Sequence, residues 1–318
     1  MKKLRPAILR FVIPFLISGG ILLLLIQRID GNALLNSLAQ SQMRLLLPAV
    51  LISVLVNIFL GAVKWRRILQ NLGCRLPFAE VLSLRTGCIP FKLVFPMKSS
   101  ELLKAAYLAR GQRLCFTRSV SSLLLDKALN LFVIVCLALL GLSLLDHPLP
   151  RYIPLGIFLT LLLMLFAHSL PAFLLRLAQR LHPGMSRAAE NLVSAFQEIG
   201  WREKLLLLGL SALYQASEFV NTFLLMKAVG ITIPLAVLLV AIPAIMIISN
   251  LPVTVLGLGT REAAIVFFLA AHGPPAALLS GSILISLVEH VLPVLAGLLF
   301  IRSFYLLFLL KNEMKRPE

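Results

Sequence analysis

An arginine and a glutamate stand side by side, Arg261–Glu262, inside a stretch that is otherwise apolar enough to lie in lipid: PVTVLGLGTREAAIVFFLAAHG over 252–273. A guanidinium can grip an anionic oxygen pair through two parallel N–H bonds. Pro252, Gly257 and Gly259 break the helix ahead of the pair. Thr260 is then the expected N-cap of a new helix opening at Arg261, whose first-turn N–H groups would point at a bound anion. Charged side chains at bilayer depth are costly, so they normally face a cavity or a partner. The competing reading is a plain Arg261–Glu262 ion pair closing a structural kink.

A second interrupted segment lies at 78–110, FAEVLSLRTGCIPFKLVFPMKSSELLKAAYLAR, with Glu80, Arg85, Pro90, Lys92, Pro96, Lys98, Glu101 and Lys104. That is too many charges for a helix facing lipid. Other polar residues sit within apolar runs. Asp126 and Asn130 are four apart, on one helix face, with Lys127 beside them. Gln215, Glu218 and Asn221 form a stripe, and Ser282, Ser286 and Glu289 form another with His290 adjacent. The candidate binding residues are Lys98, Glu101, Lys104, Asp126, Lys127, Glu218, Arg261, Glu262 and Glu289. Ser282, Ser286, Asn130 and Asn221 read as hydrogen-bonding glue between helices, and His168 and His290 as helix–helix hydrogen bonds rather than a proton relay. No Ser/His/Asp set and no metal-ligand spacing is present, so neither a catalytic residue nor a cofactor is expected.

The elements that must position these groups are membrane helices. With 59% hydrophobic and 14% charged residues and a mean hydropathy of +0.97, a soluble catalytic domain is excluded. The expected fold is an all-α polytopic membrane protein, with full spans near 8–26, 45–63, 119–145, 152–175, 204–228 and 277–310. Two re-entrant or broken helix hairpins, 78–110 and 233–272, bring the total to as many as eight spans. The first span, with a charged start but no small-residue cleavage site after it, reads as retained. The run 176–200 reads as an interfacial pair of amphipathic helices broken at Pro183–Gly184.

The net charge of +17 invites a nucleic-acid reading, but the positions of the basic residues argue for a membrane. Twenty of the thirty fall in five clusters that can share one side: 2–10, 64–75, 110–118, 176–204 and 302–316. Only Arg28, Arg44, Arg151 and Lys227 remain for the other side, since Arg85, Lys92, Lys98, Lys104, Lys127 and Arg261 fall within membrane-depth segments. This asymmetry predicts both termini in the cytoplasm and basic loops that attract anionic lipids. Cys74, Cys88, Cys115 and Cys136 read as free thiols.

The two interrupted segments also resemble each other. Glu101 and Glu262 each begin Glu-x6-Leu-Ala, ending at Leu108–Ala109 and Leu269–Ala270, and each stretch closes on a glycine. This spacing predicts a duplication, 1–150 and 151–318, each half holding three spans and a hairpin. An odd number of spans inverts the second copy, so the hairpins enter from opposite faces and Glu101 approaches Glu262 near the midplane. Inverted repeats with broken helices are a transporter architecture.

Three motifs carry a resemblance to a known family. Leu256-Gly257-Leu258-Gly259-Thr260-Arg261-Glu262 looks like a Gly-x-Gly-x-Arg-Glu signature. Phe95-Pro96-Met97-Lys98-Ser99-Ser100-Glu101 with Lys104 looks like Leu-Pro-x-x-x-Gly-Glu-x-x-Arg, with Ser100 where glycine is usual and Lys104 where arginine is. Asp126-Lys127-x-x-Asn130 is similar to Glu-Arg-x-x-Asp in the following span. With these, the chain resembles, over nearly its whole length, the transmembrane flippase region of lysylphosphatidylglycerol synthases and the related stand-alone membrane proteins. The resemblance implies translocation of a lipid with an anionic or zwitterionic headgroup between leaflets. These 318 residues hold no aminoacyl-transferase domain, so lysyl transfer is not expected. The partner would be a phospholipid or another lipid headgroup, with no nucleic acid. The alternative function is a non-transporting scaffold for a membrane enzyme that modifies lipids or glycans.

Overall fold

The computed structural model describes residues 4–94, 101–110, 114–145, 155–156, 158–159, 162, 197–250 and 253–313. Every regular element among them is helical. In chain order they are α1 (Leu4–Arg28), α2 (Gly31–Ala39), α3 (Met43–Asn71), α4 (Phe78–Gly87), α5 (Phe91–Val94), α6 (Leu102–Arg110), α7 (Phe116–Leu144), α8 (Trp201–Ala228), α9 (Leu235–Asn250) and α10 (Thr260–Phe268). A last helix, α11, runs without a break through Pro275–Ser286, Leu287–Val291 and Leu292–Glu313.

Three of these, Met43–Asn71, Phe116–Leu144 and Pro275–Leu306, are long and apolar enough to cross a membrane. A fourth crossing is available if Ile13–Arg28 and Gly31–Ala39, bent by 95°, count as one broken span. Asp30 makes that corner, its side chain accepting from the Asn32 N–H at 2.9 Å as the N-cap of α2. The sequence reading treated this region as a loop. With 28 residues α8 has the length of a span, about 42 Å, but Glu218, Gln215 and Asn221 lower its apolarity. The expected span at 152–175 and the amphipathic pair at 176–200 fall mainly outside the described residues. Side chains such as Leu16, Leu47, Leu213 and Leu299 are exposed on the helix exteriors, as a lipid environment allows.

Both interrupted segments are broken as the sequence implied. The first is α4, a turn at Pro90, the short α5, and α6; the second is α9, a turn, and α10. Each packs across the molecule. The arm α4 lies on α11, where a Cβ on Gly297 would come 2.7 Å from the Thr86 carbonyl oxygen. The arm α9 lies on α7, where a Cβ on Gly141 would come 2.7 Å from Leu239 Cβ. The second arm of each segment stays local, α6 on α7 and α10 on α11, while α3 and α8 pack together. One apolar core gathers around Trp65, Leu84, Leu108 and Leu129, the other around Leu225, Ile242, Ile265 and Leu278.

Two helices contain a π-helical turn, Leu55–Leu60 in α3 and Leu287–Val291 in α11. Such a turn inserts an extra residue and re-aims its side chains, and it recurs at functional sites.

Candidate functional site

The turn between α9 and α10 holds three residues in the left-handed region. Leu256, Gly257 and Gly259 have φ of 55°, 78° and 89°, a region that strains an L side chain. A Cβ on Gly257 would lie 2.8 Å from the Ser249 carbonyl oxygen, and one on Gly259 would lie 3.1 Å from that of Ser18. Glycine therefore serves both the conformation and the close approach. The Val255 N–H donates to Ser18 Oγ at 2.9 Å, tying the turn to α1.

Gly259, not Thr260, is the N-cap of α10. Its N–H donates to Glu262 Oε2 at 2.5 Å, and the Arg261 N–H donates to the Gly257 carbonyl at 2.9 Å. The anion meeting the Gly259 amide is thus the chain's own Glu262, which is 1% exposed, while the Arg261 amide is taken by a carbonyl. Its other oxygen accepts from Ser286 Oγ at 2.5 Å. A carboxylate at the third helical position offsets the helix dipole from inside the fold, so these donors do not project toward an external ligand as the sequence suggested.

Arg261 pairs with α11 rather than with its neighbour Glu262. Nη1 is 3.3 Å from Glu289 Oε2 and 3.2 Å from His290 Nδ1, and Nη2 is 3.1 Å from His290 Nε2. The π-helical turn Leu287–Val291 explains why two successive residues reach one guanidinium. Glu289 Oε1 is buried with no hydrogen-bond partner among the described residues.

A second charged cluster forms where α3, α6, α7 and α8 meet. Lys64 Nζ lies 2.7 Å from Asp126 Oδ1 and donates to Asn130 Oδ1 at 2.5 Å and Ser211 Oγ at 3.1 Å. Asp126 and Asn130 thus share a face and a partner, as their spacing predicted. Lys64 itself, grouped from the sequence with cytoplasmic loop cations, is 2% exposed inside this junction. Glu101 receives two cations, Lys127 at 3.0 Å and Lys104 at 3.8 Å. Lys104 also sits over the Trp65 ring, 5.2 Å from its centroid.

Residues 11–297 match the lysylphosphatidylglycerol synthase TM region, a span that contains both clusters and both broken segments. The chain belongs to this family. No curated protein matches the sequence. Family membership and the apolar helices together make the chain a multi-pass membrane protein, consistent with lipid handling.

Within this lysylphosphatidylglycerol synthase TM region, the expected site residues divide into groups. Arg261 and Glu289 come together, as do Glu101, Lys104 and Lys127, and Asp126 joins Lys64. Glu218 lies between the clusters, within electrostatic reach of Arg261, Lys127, Lys64 and Lys92, and has no hydrogen-bond or ion-pair partner among the described residues. Glu101 and Glu262 share no bonded partner. Lys98 lies outside the described residues. Arg85, Lys92 and His290 belong with the site, although the sequence reading left them off the candidate set. The available signal for the first two was their position in a segment already judged too charged for lipid. All four cysteines are free.

Proposed function

We propose that the chain moves a lipid with an anionic or zwitterionic headgroup between leaflets of the inner membrane, both termini cytoplasmic. The headgroup occupies the space between the two charged clusters while the tails remain in lipid. The observation that carries this reading is the concentration of Lys64, Arg85, Lys92, Lys104, Lys127 and Arg261 on helices with apolar exteriors. Cations at that depth are retained where they meet a partner. Lys104, Lys127, Glu218, Arg261 and Glu289 are the residues assigned to the headgroup; Asp126 and Glu262 hold the helices that carry them.

A duplicated, inverted arrangement is part of the proposal. It is supported by the reciprocal packing of α4 on α11 and α9 on α7, and by the glycine contact at each crossing. Equivalent halves of opposite orientation would present equivalent openings to the two leaflets. The test is a leaflet-exchange assay in proteoliposomes with labelled phospholipids. Exchange above protein-free vesicles is the expected result. Stable, monodisperse protein that binds lipid but moves none would favour the scaffold instead.

A further inference from the structure

Two cations beside the second cluster have no assigned partner. Arg85, in the last turn of α4, and Lys92, in α5, are half-buried, and neither has a hydrogen bond or ion pair among the described residues. The Arg85 guanidinium is seated against Gly61, where any Cβ would overlap it. Gly61 directly follows the π-helical turn Leu55–Leu60. The displaced turn and the missing side chain together make the niche, so the placement of Arg85 is built into α3.

From this niche Arg85 is within electrostatic reach of Lys64, Lys92, Lys104 and Lys127. Among the described residues those five cations stand against three carboxylates: Asp126, ion-paired with Lys64; Glu101, shared by Lys104 and Lys127; and Glu218, which pairs with none of them. Five minus three leaves an excess of two positive charges. Like charges crowded in a weakly screening interior repel and forfeit hydration, so the arrangement is favourable when an anion completes it. A phosphodiester, with one charge, would leave half of the excess standing. A doubly charged phosphate would remove it, with two oxygens for the Arg85 fork and a third for the compact Lys92 ammonium.

The geometry points to recognition of a phosphate group carrying two negative charges, a terminal phosphomonoester or a diphosphate, with Arg85 as its bidentate contact and Lys92 as its second cation. This assignment rests on the headgroup reading above and narrows it from anionic or zwitterionic lipids in general to those ending in an exposed phosphate. Gly61 acts as a positioning residue, through Arg85.

The test is lipid binding, measured separately from transport. The full chain in phosphatidylcholine nanodiscs is titrated at pH 8 with phosphatidic acid and with phosphatidylglycerol of the same tails, and bound lipid is read by native mass spectrometry. Wild type should prefer phosphatidic acid by about tenfold, the scale of one additional charge-assisted bond. The preference should fall to within about twofold in Arg85→Gln/Lys92→Gln, and part way in Gly61→Ala, which removes no contacting group. Equal affinity of wild type for the two lipids overturns the assignment without reference to any variant's folding. So does an undiminished preference in Arg85→Gln/Lys92→Gln. Glycerol 1-phosphate separates the possible sources. If it displaces phosphatidic acid at equal concentration, the dianion is a soluble phosphate, and the lipid reading falls while the preference for two charges stands. If phosphatidic acid binds with this preference yet no lipid exchanges leaflets, the transport proposal fails and the recognition site remains.

Discussion

The guanidinium of Arg261 lies against both ring nitrogens of His290, Nη1 to Nδ1 at 3.2 Å and Nη2 to Nε2 at 3.1 Å, while Nη1 is also 3.3 Å from Glu289 Oε2. A neutral imidazole offers a single acceptor nitrogen, so the ring satisfies one of these approaches at a time. The remaining donors of Arg261 are what a ligand oxygen would use.

Arg261→Lys keeps the charge and the Glu289 pairing but loses the fork. Leaflet exchange should fall by roughly tenfold while thermal stability stays near wild type. Arg261→Ala should abolish exchange and destabilise by about 3–5 kcal/mol, because Glu289 is left uncompensated in the interior. Equal losses of stability and activity in both variants would make the contact purely structural.

Lys64 should behave oppositely. Removing one member of a buried pair costs about 3–5 kcal/mol, whereas replacing both with apolar residues is often neutral. Lys64→Met and Asp126→Asn should therefore each unfold at markedly lower temperature in detergent, and Lys64→Met/Asp126→Leu should recover to within about 1 kcal/mol of wild type. If single variants unfold like wild type but lose exchange, Asp126 belongs to the ligand rather than to the scaffold.

The turn ahead of α10 gives a backbone prediction. Gly257→Ala forces a side chain into positive φ and against the Ser249 carbonyl, and should cost at least about 1–2 kcal/mol. Glu262→Ala should cost about 0.5–2 kcal/mol through the lost cap. In both, exchange should decline only as far as the folded fraction does. A stable Glu262→Ala protein with no exchange would return Glu262 to the headgroup.

Cys115 reports orientation. It is the exposed N-cap just before α7, and the Thr117 side chain, with Arg118 close by, holds its thiol below the usual cysteine value. The reactive thiolate should therefore appear at lower pH than for free cysteine, near 8.5. Maleimide labelling should be fast at Cys115, slower at half-buried Cys136, and negligible at buried Cys74 and Cys88 in the folded protein. An impermeant reagent should label Cys115 in inverted vesicles but not in intact cells. Labelling from outside would reverse the proposed topology.

What the sequence disclosed, and what it hid, follow from range. Local signals were legible: two glycines and a proline announced the break before α10, and the four-residue spacing of Asp126 and Asn130 announced a shared face. Partner choice was not, because it is set by residues far apart in the chain. Arg261 stands beside Glu262 in sequence, yet Glu262 turns back to cap the helix and Arg261 reaches 28 residues ahead to Glu289. Lys64 misled because it begins a Lys-Trp-Arg-Arg run at the end of an apolar stretch. The helix continues about two more turns, to Asn71, so the lysine remains inside while Arg66 and Arg67 continue toward its end. The interruptions of 78–110 and 233–272 were visible in the sequence, whereas the packing of α4 on α11 and of α9 on α7 depends on Gly297 and Gly141, small residues with no periodic signature.

Those two glycines also set a mechanical limit. With no room for a side chain at either glycine, the α4–α11 and α9–α7 seams are closely packed and held by dispersion, which decays within a fraction of an ångström. Such seams do not stretch by degrees; they hold or they part. Rocking of one half against the other would have to open a seam completely, exposing carbonyls such as that of Thr86 to the hydrocarbon. In the proposed transport cycle the compliant parts would then be the breaks themselves, around Pro90 and across 253–259, with the elastic work concentrated in a few residues.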